Sequence, residues 1–207
     1  MSIDNQYLDK IVCDTLLHSC NSKKLGICNG KMGIVLFFFH YFKYTNNQMY
    51  EDIAGELLDD IFDDLDLSLN ISFNDGLSGI GWGIEYLAQN NFIQVSADVL
   101  DDIDCKIAEM SLTRMVDLSF ETGVEGIAWY VLLHSHLQNK QKIFDEIYYN
   151  DLYNVCANNL SKVSTALSTY LQNKQLMFYP FDYVLNKVIS TPPDFVSWKN
   201  GLKLLSL

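Results

Sequence analysis

The residues that could do chemistry sit close to glycines. Cys28 opens the hexapeptide Cys28-Asn29-Gly30-Lys31-Met32-Gly33. A thiol there can act as a nucleophile or a metal ligand once deprotonated, although the commoner use of such a residue is as a small buried hydrophobe. Its counterparts before two later glycines are Asn74 and Glu121, which share no chemistry with it. Asn29, Asp75, Glu121 and Glu125 gather polar and acidic groups around the same turns. Carboxylates at helix starts are favoured by the helix dipole, so capping accounts for them without a ligand. His134 and His136 form a tempting pair, but a spacing of two on a helix puts them on different faces. Each reads as a satisfied or exposed histidine and not as one of two ligands. Glu85 stands in the register of Phe39 and Leu132 inside apolar runs, where an unpaired charge is costly; it either faces a wet central cavity or pairs with a neighbour. Glu85 and Glu125 are also the pair that sugar hydrolysis would use, if they faced each other across a substrate. Trp82 and Trp129 share one register and read as core before ligand platform.

These residues recur because the chain repeats. Gly30, Gly76 and Gly123 open three G-x-x-G-I turns at intervals of 46 and 47 residues. A fixed period of this length marks an array of supersecondary units, each too small to bury its own apolar face. The residues before the glycines, Asn29, Asp75 and Thr122, are good helix N-caps, which places a helix start at each turn. The helices that start there are apolar nearly all round, as in Ile34 to Phe39 and Ile127 to Leu133, and such a helix is buried on all sides. The next segment of the first unit is amphipathic. Tyr50, Ile53, Ala54, Leu57, Leu58, Ile61, Phe62 and Leu65 keep steps of three and four, while Asp59, Asp60, Asp63 and Asp64 take the solvated face. One buried and one half-exposed helix per period make an αα-hairpin, and stacked hairpins give an inner and an outer layer.

The expected organisation is a single all-α domain over 1–207. A leading helix covers 3–19, with Leu8, Ile11, Val12, Thr15 and Leu16 on its stripe. Hairpins come next at about 29–66, 75–112 and 122–171, the last with an outer helix over 151–171 carrying Leu152, Val155, Cys156, Leu160, Val163, Leu167 and Tyr170. An irregular tail over 172–207 is punctuated by Pro180, Pro192 and Pro193 and ends in a short closing helix from Trp198.

Composition narrows the function classes. The chain has 207 residues, 49% of them hydrophobic, and a net charge of −12, enough for a real core. That acidity argues against nucleic acid and anionic membrane surfaces, which ask for clustered Lys and Arg. Five cysteines without a C-x-x-C spacing read as reduced thiols in a cytoplasm. Met1 to Lys10 is polar and carries no signal-peptide pattern, and the most apolar run, Gly33 to Phe42, is interrupted by His40 and too short for a bilayer.

The glycine turns leading into buried helices resemble the repeat of the lanthionine synthetase C family, the LanC-like proteins. The resemblance is closest in G-I-C-N-G-K-M-G-I-V-L-F-F-F-H-Y-F and N-D-G-L-S-G-I-G-W-G-I-E-Y-L, looser in S-F-E-T-G-V-E-G-I-A-W-Y-V-L, and spans about Cys20 to Leu137. It implies an α/α toroid in which inner helices form a barrel and glycine turns crowd one mouth; with about half the usual hairpins, this chain resembles a partial toroid. In characterised members the mouth holds zinc, and a peptide cysteine adds to a dehydroalanine or dehydrobutyrine to close a thioether ring. The family holds that zinc by a cysteine in a C-x-G-x-x-G turn, which Cys28 matches, and by an adjacent Cys-His pair in a later turn, which this sequence lacks. One ligand is not a site, since a zinc that activates a thiol needs three protein ligands and an open position. The resemblance therefore implies a partner or degenerate cyclase in lantibiotic-type peptide modification. It would bind a peptide or a modifying enzyme at a mouth formed by Cys28, Asn29, Asn74, Asp75, Glu85, Glu121 and Glu125, with no cofactor expected unless further ligands complete a zinc site. The alternatives are a non-catalytic interaction scaffold, which a homodimer through open hairpin ends would close, and a toroid glycoside hydrolase-like enzyme using paired carboxylates.

Overall fold

The computed structural model describes residues 5–96, 98–137, 143–159, 161–173, 180–190 and 198–205. Among them there are ten α-helices, one short 3-10 turn and no strand, so the molecule is all-α as its periodicities require. The backbone gathers into two compact units, Met1–Leu65 with Asp182–Leu207, and Asp66–Phe181.

The first unit is built on a helical hairpin. α2 (Lys31–Thr45) is buried continuously from Lys31 to Tyr41, the fate of a segment that offers no polar face. It stops at Asn46, which adopts the left-handed conformation (φ 55°) and returns its N–H to the Phe42 carbonyl. Asparagine tolerates that conformation better than most residues, because its short polar side chain bonds locally. The next residue, Asn47, caps α3 (Gln48–Asp64) by accepting from the Met49 amide. Two adjacent asparagines thus end one helix and start the next. α3 buries Ala54, Leu57, Leu58 and Ile61 against α2; Phe62, expected on this stripe, is 37% exposed. Lys31 reaches from the first turn of α2 to Asp60 at 2.6 Å, which ties the base of the hairpin.

The rest of this unit is α1 (Asn5–Asn21), most of α9 (Pro180–Ser190) and α10 (Trp198–Leu204). Leu8, Ile11, Val12 and Thr15 of α1 are buried as its stripe predicts. α10 and α2 fit by exchanging aromatics for glycines: a methyl added at Gly33 would lie 2.3 Å from the Trp198 ring, and one added at Gly201 2.3 Å from the Phe37 ring. Glycine has no Cβ and so lets the two backbones come this close.

The second unit holds α4 (Leu77–Gln89), α5 (Asp101–Ala108), α6 (Val124–Leu137), α7 (Glu146–Ala157) and α8 (Thr165–Asn173). α4 and α6 are its buried pair, and a methyl added at Gly81 of α4 would lie 2.7 Å from the Tyr130 ring of α6. α5 is short and sits against α4, burying Ile103, Asp104 and Ile107. The third outer helix departs from expectation. In place of one helix over 151–171 there are two, α7 beginning earlier behind the cap Asp145, and α8. The break falls at Asn158 and Asn159; the Asn159 side chain donates to the Val155 carbonyl and so competes with the backbone for the helix's own acceptor. The residues of the expected apolar stripe still go inside: Leu152, Cys156, Val163, Leu167 and Tyr170 are buried and Val155 is half-buried. Leu160, Pro192 and Pro193 lie outside the described residues.

Candidate functional site

Each glycine turn is the same small structure. The first amide of α2, α4 and α6 donates to the carbonyl seven residues earlier: Lys31 to Lys24 at 2.9 Å, Leu77 to Asn70 at 2.9 Å and Val124 to Asp117 at 3.1 Å. The loop before each buried helix therefore curls back over that helix's first turn and satisfies an amide that helix geometry leaves open. This corrects the expected caps. α2 and α4 begin after Gly30 and Gly76, neither with a side-chain cap, and the Thr122 hydroxyl donates instead to the Asp117 carboxylate. The glycines are there for space. A methyl at Gly30, Gly76 or Gly123 would lie 2.6, 2.2 or 2.5 Å from the carbonyl oxygen of Lys24, Asn70 or Asp117.

In the second unit two of these turns are joined. The Asn74 amide donates to the Glu121 carbonyl at 2.8 Å, and the adjoining Phe73 and Phe120 rings meet at a 43° tilt with centroids 4.7 Å apart. Asn74, Asp75 and Glu121 are half-buried at this seam. Glu125 is turned elsewhere: it is buried, and its Oε2 accepts from the Ser164 amide at 3.0 Å, immediately before α8. A carboxylate there faces the positive end of α8. Cys28, buried, and Asn29, half-buried, belong to the turn of the first unit. Trp82 and Trp129 are fully buried, Trp82 stacked on Tyr86 at 5.2 Å.

Glu85 lies in a buried network. Its Oε1 is 2.6 Å from His134 Nδ1, while His134 Nε2 is 2.8 Å from Asp104 Oδ2, and the Tyr130 hydroxyl donates to the other oxygen of Asp104 at 2.6 Å. Four polar side chains from α4, α5 and α6 thus converge where their neighbours are apolar. Burial alone would lower the His134 pKa, but hydrogen bonds to Asp104 and Glu85 and their charges outweigh it and raise the ring to about 9. Burial, with the Asp104 charge next, keeps the Tyr130 hydroxyl protonated. Glu85 and Glu125 engage different partners, His134 and the start of α8. The side chain of His136 lies outside the described residues.

A family model described as lanthionine synthetase C-like protein matches residues 21–147, a span holding all three glycine turns and the Glu85–His134–Asp104 network. The chain belongs to the lanthionine synthetase C-like family. No significant match was found among curated proteins or among solved structures.

For a LanC-like protein the question is whether the side chains fit zinc. Cys28 matches one family ligand, no cysteine of the chain precedes a histidine, and among the described residues no group of three His, Cys, Asp or Glu side chains is placed to hold a metal. Both ring nitrogens of His134 already face carboxylates, which leaves neither lone pair for a cation.

Asp104 and Tyr130 were missed from the sequence. Leu100, Ile103, Asp104 and Ile107 occupy one stripe of α5, so an aspartate at a buried-side position was the available sign. Asn70-Ile71-Ser72-Phe73 and Asp117-Leu118-Ser119-Phe120 also repeat ahead of two glycine turns; Asn70 and Asp117 each accept from the amide two residues on.

Proposed function

We propose that this LanC-like chain serves ribosomal peptide modification by binding a peptide, or the enzyme that modifies it, at its glycine turns, and that it does not itself close thioether rings. The supporting observation is the contrast between turns and ligands. The family match includes every glycine turn, while of the family's zinc-ligand motifs the sequence has a counterpart at Cys28 and no Cys-His pair, and no metal-holding group is found among the described residues. A protein that keeps the turns without the ion keeps a surface for the peptide and lacks the means to activate its thiol.

In the second unit that peptide surface is the seam of Asn74, Asp75 and Glu121; Cys28 and Asn29 belong to the separate turn of the first unit, and Glu85 and Glu125 serve as structural carboxylates. The test uses a synthetic peptide carrying one cysteine and one dehydroalanine, incubated with the protein and zinc. Fluorescence anisotropy is expected to report binding, and the peptide thiol is expected to stay open to alkylation. Loss of that thiol with the wild type and zinc, but not with Cys28→Ser, would establish a cyclase and overturn the proposal.

A further inference from the structure

A groove of about 420 Å³ opens in the second unit, beside the chain that leads into the third glycine turn. One wall is the segment after the 3-10 turn Leu112–Arg114, with Met115, Val116 and Leu118; the other is the end of α7 and the turn that follows it, with Asn154, Asn158 and Lys162. Three features of these walls describe an occupant. The first is an open main-chain edge. Met115 leaves the 3-10 turn in extended conformation (φ −76°, ψ 126°), and 115–119 form neither helix nor turn. Among the described residues nothing hydrogen-bonds to the N–H or C=O of Val116 or Leu118. In extended chain, residues two apart send these groups to the same side, and such a row is an edge on which another extended chain can pair. The second is a pair of carboxamides. Asn154 and Asn158 lie one helical turn apart, are exposed and make no side-chain hydrogen bond to a described residue, whereas the Asn159 amide is committed to the Val155 carbonyl. Each carboxamide offers donors and an acceptor, which is what a peptide group needs. The third is charge. In a chain of net charge −12 the groove is lined by one cation, Lys162, and by no carboxylate, and Lys162 is in no ion pair among the described residues.

We propose that this groove holds an extended, acidic segment of a peptide, which pairs its main chain with Val116 and Leu118, covers the Val116 side chain and sets a carboxylate against Lys162. Val116 is 95% exposed, the most exposed of the large apolar side chains described, and so has a full side chain to bury on a partner. Main-chain pairing at an open edge supplies affinity without sequence, and the flanking side chains supply the selection. Asp117, between the two pairing residues, does not oppose an acidic occupant with a free carboxylate, since its oxygens accept from the Ser119 amide and the Thr122 hydroxyl. On the reading of this chain as a peptide binder, on which the assignment rests, the groove extends the seam: Leu118 stands three residues before Glu121, no more than about 10 Å of chain.

The experiment compares two labelled peptides on the full chain by fluorescence anisotropy, one alternating valine with aspartate and the other valine with lysine. The net charge of −12 favours the lysine peptide everywhere on the surface, so a preference for the aspartate peptide must be local. That preference is expected, and Lys162→Glu should weaken aspartate-peptide binding about tenfold or more. The double variant Asn154→Ala with Asn158→Ala should weaken it as well; all three side chains are exposed, so the fold is kept. Amide exchange of Val116 and Leu118 should slow about tenfold when the peptide is bound, the sign of main-chain pairing. No binding of the aspartate peptide, equal or tighter binding of the lysine peptide, an unchanged affinity in both variants, or unchanged exchange at Val116 and Leu118 would each overturn the groove. So would a dimer in light scattering that Val116→Lys separates, since a second copy would then be the occupant. The cysteine–dehydroalanine peptide reports on the seam separately: if it binds and the aspartate peptide does not, the groove falls and the seam stands, and the converse result keeps the groove and removes the seam.

Discussion

His40 and His134 both lie in buried helices, yet their protons act in opposite directions on stability. Burial first, and the Lys43 charge second, push His40 down to about 4. Its folded pKa lies below the unfolded value of about 6.5, so its contribution is present above that pH and is lost as pH falls toward 4. His134 is raised to about 9, so its contribution is complete below about pH 6.5 and is lost as pH climbs through 9. Urea unfolding of His40→Gln should therefore show a shallower acid decline than the wild type between pH 6.5 and 4, with the alkaline limb unchanged. The cysteines give a second check at this scale. Cys13, Cys20 and Cys105 are exposed, Cys28 and Cys156 are buried, and burial pushes the Cys156 thiol up to about 12. Iodoacetamide on the native protein should label the first three, mapped by peptide mass spectrometry, and reach Cys156 only after unfolding.

Among the elements, the glycine turns and the asparagine corner make the sharpest demands. Gly76→Ala would set a methyl 2.2 Å from the Asn70 carbonyl oxygen, backbone that cannot step aside. A loss of about 3 kcal/mol or more is expected in urea unfolding. Gly55, in the middle of α3, has nothing within 4 Å of an added methyl. There alanine should stabilise by about 0.5–1 kcal/mol, since only the helix cost of glycine is removed. Asn47→Ala removes the cap of α3 and should cost about 1 kcal/mol by the same measurement. If both glycine changes cost the same, the turns are not held by the contacts described.

Taken whole, the chain carries a formal charge of −12 in 207 residues. Self-repulsion of that size opposes compaction and is screened by salt, so the thermal midpoint should rise between about 20 and 500 mM sodium chloride. An unchanged midpoint would show that local pairs such as Lys31 with Asp60 and Asp64 already balance the field where it matters. Among the described residues no helix is long and apolar enough to cross a membrane.

The sequence by itself determined the all-α class, the family, the three glycine turns and the placing of α2, α4 and α6, because each arises from local pattern: a period, an all-apolar run, a residue with no side chain. It also placed Glu85 where a charge needs an explanation. Helix ends were less legible. The loop that curls over each buried helix takes the place of the side-chain caps, and Asn158 and Asn159 divide an otherwise continuous stripe. The network around His134 was decided by tertiary structure alone. Glu85, Asp104 and His134 come from three helices, 19 and 30 residues apart along the chain, and the spacing of each along its own helix says nothing about the others. Only packing α4, α5 and α6 together brings two carboxylates onto one imidazole, and only that juxtaposition fixes its proton.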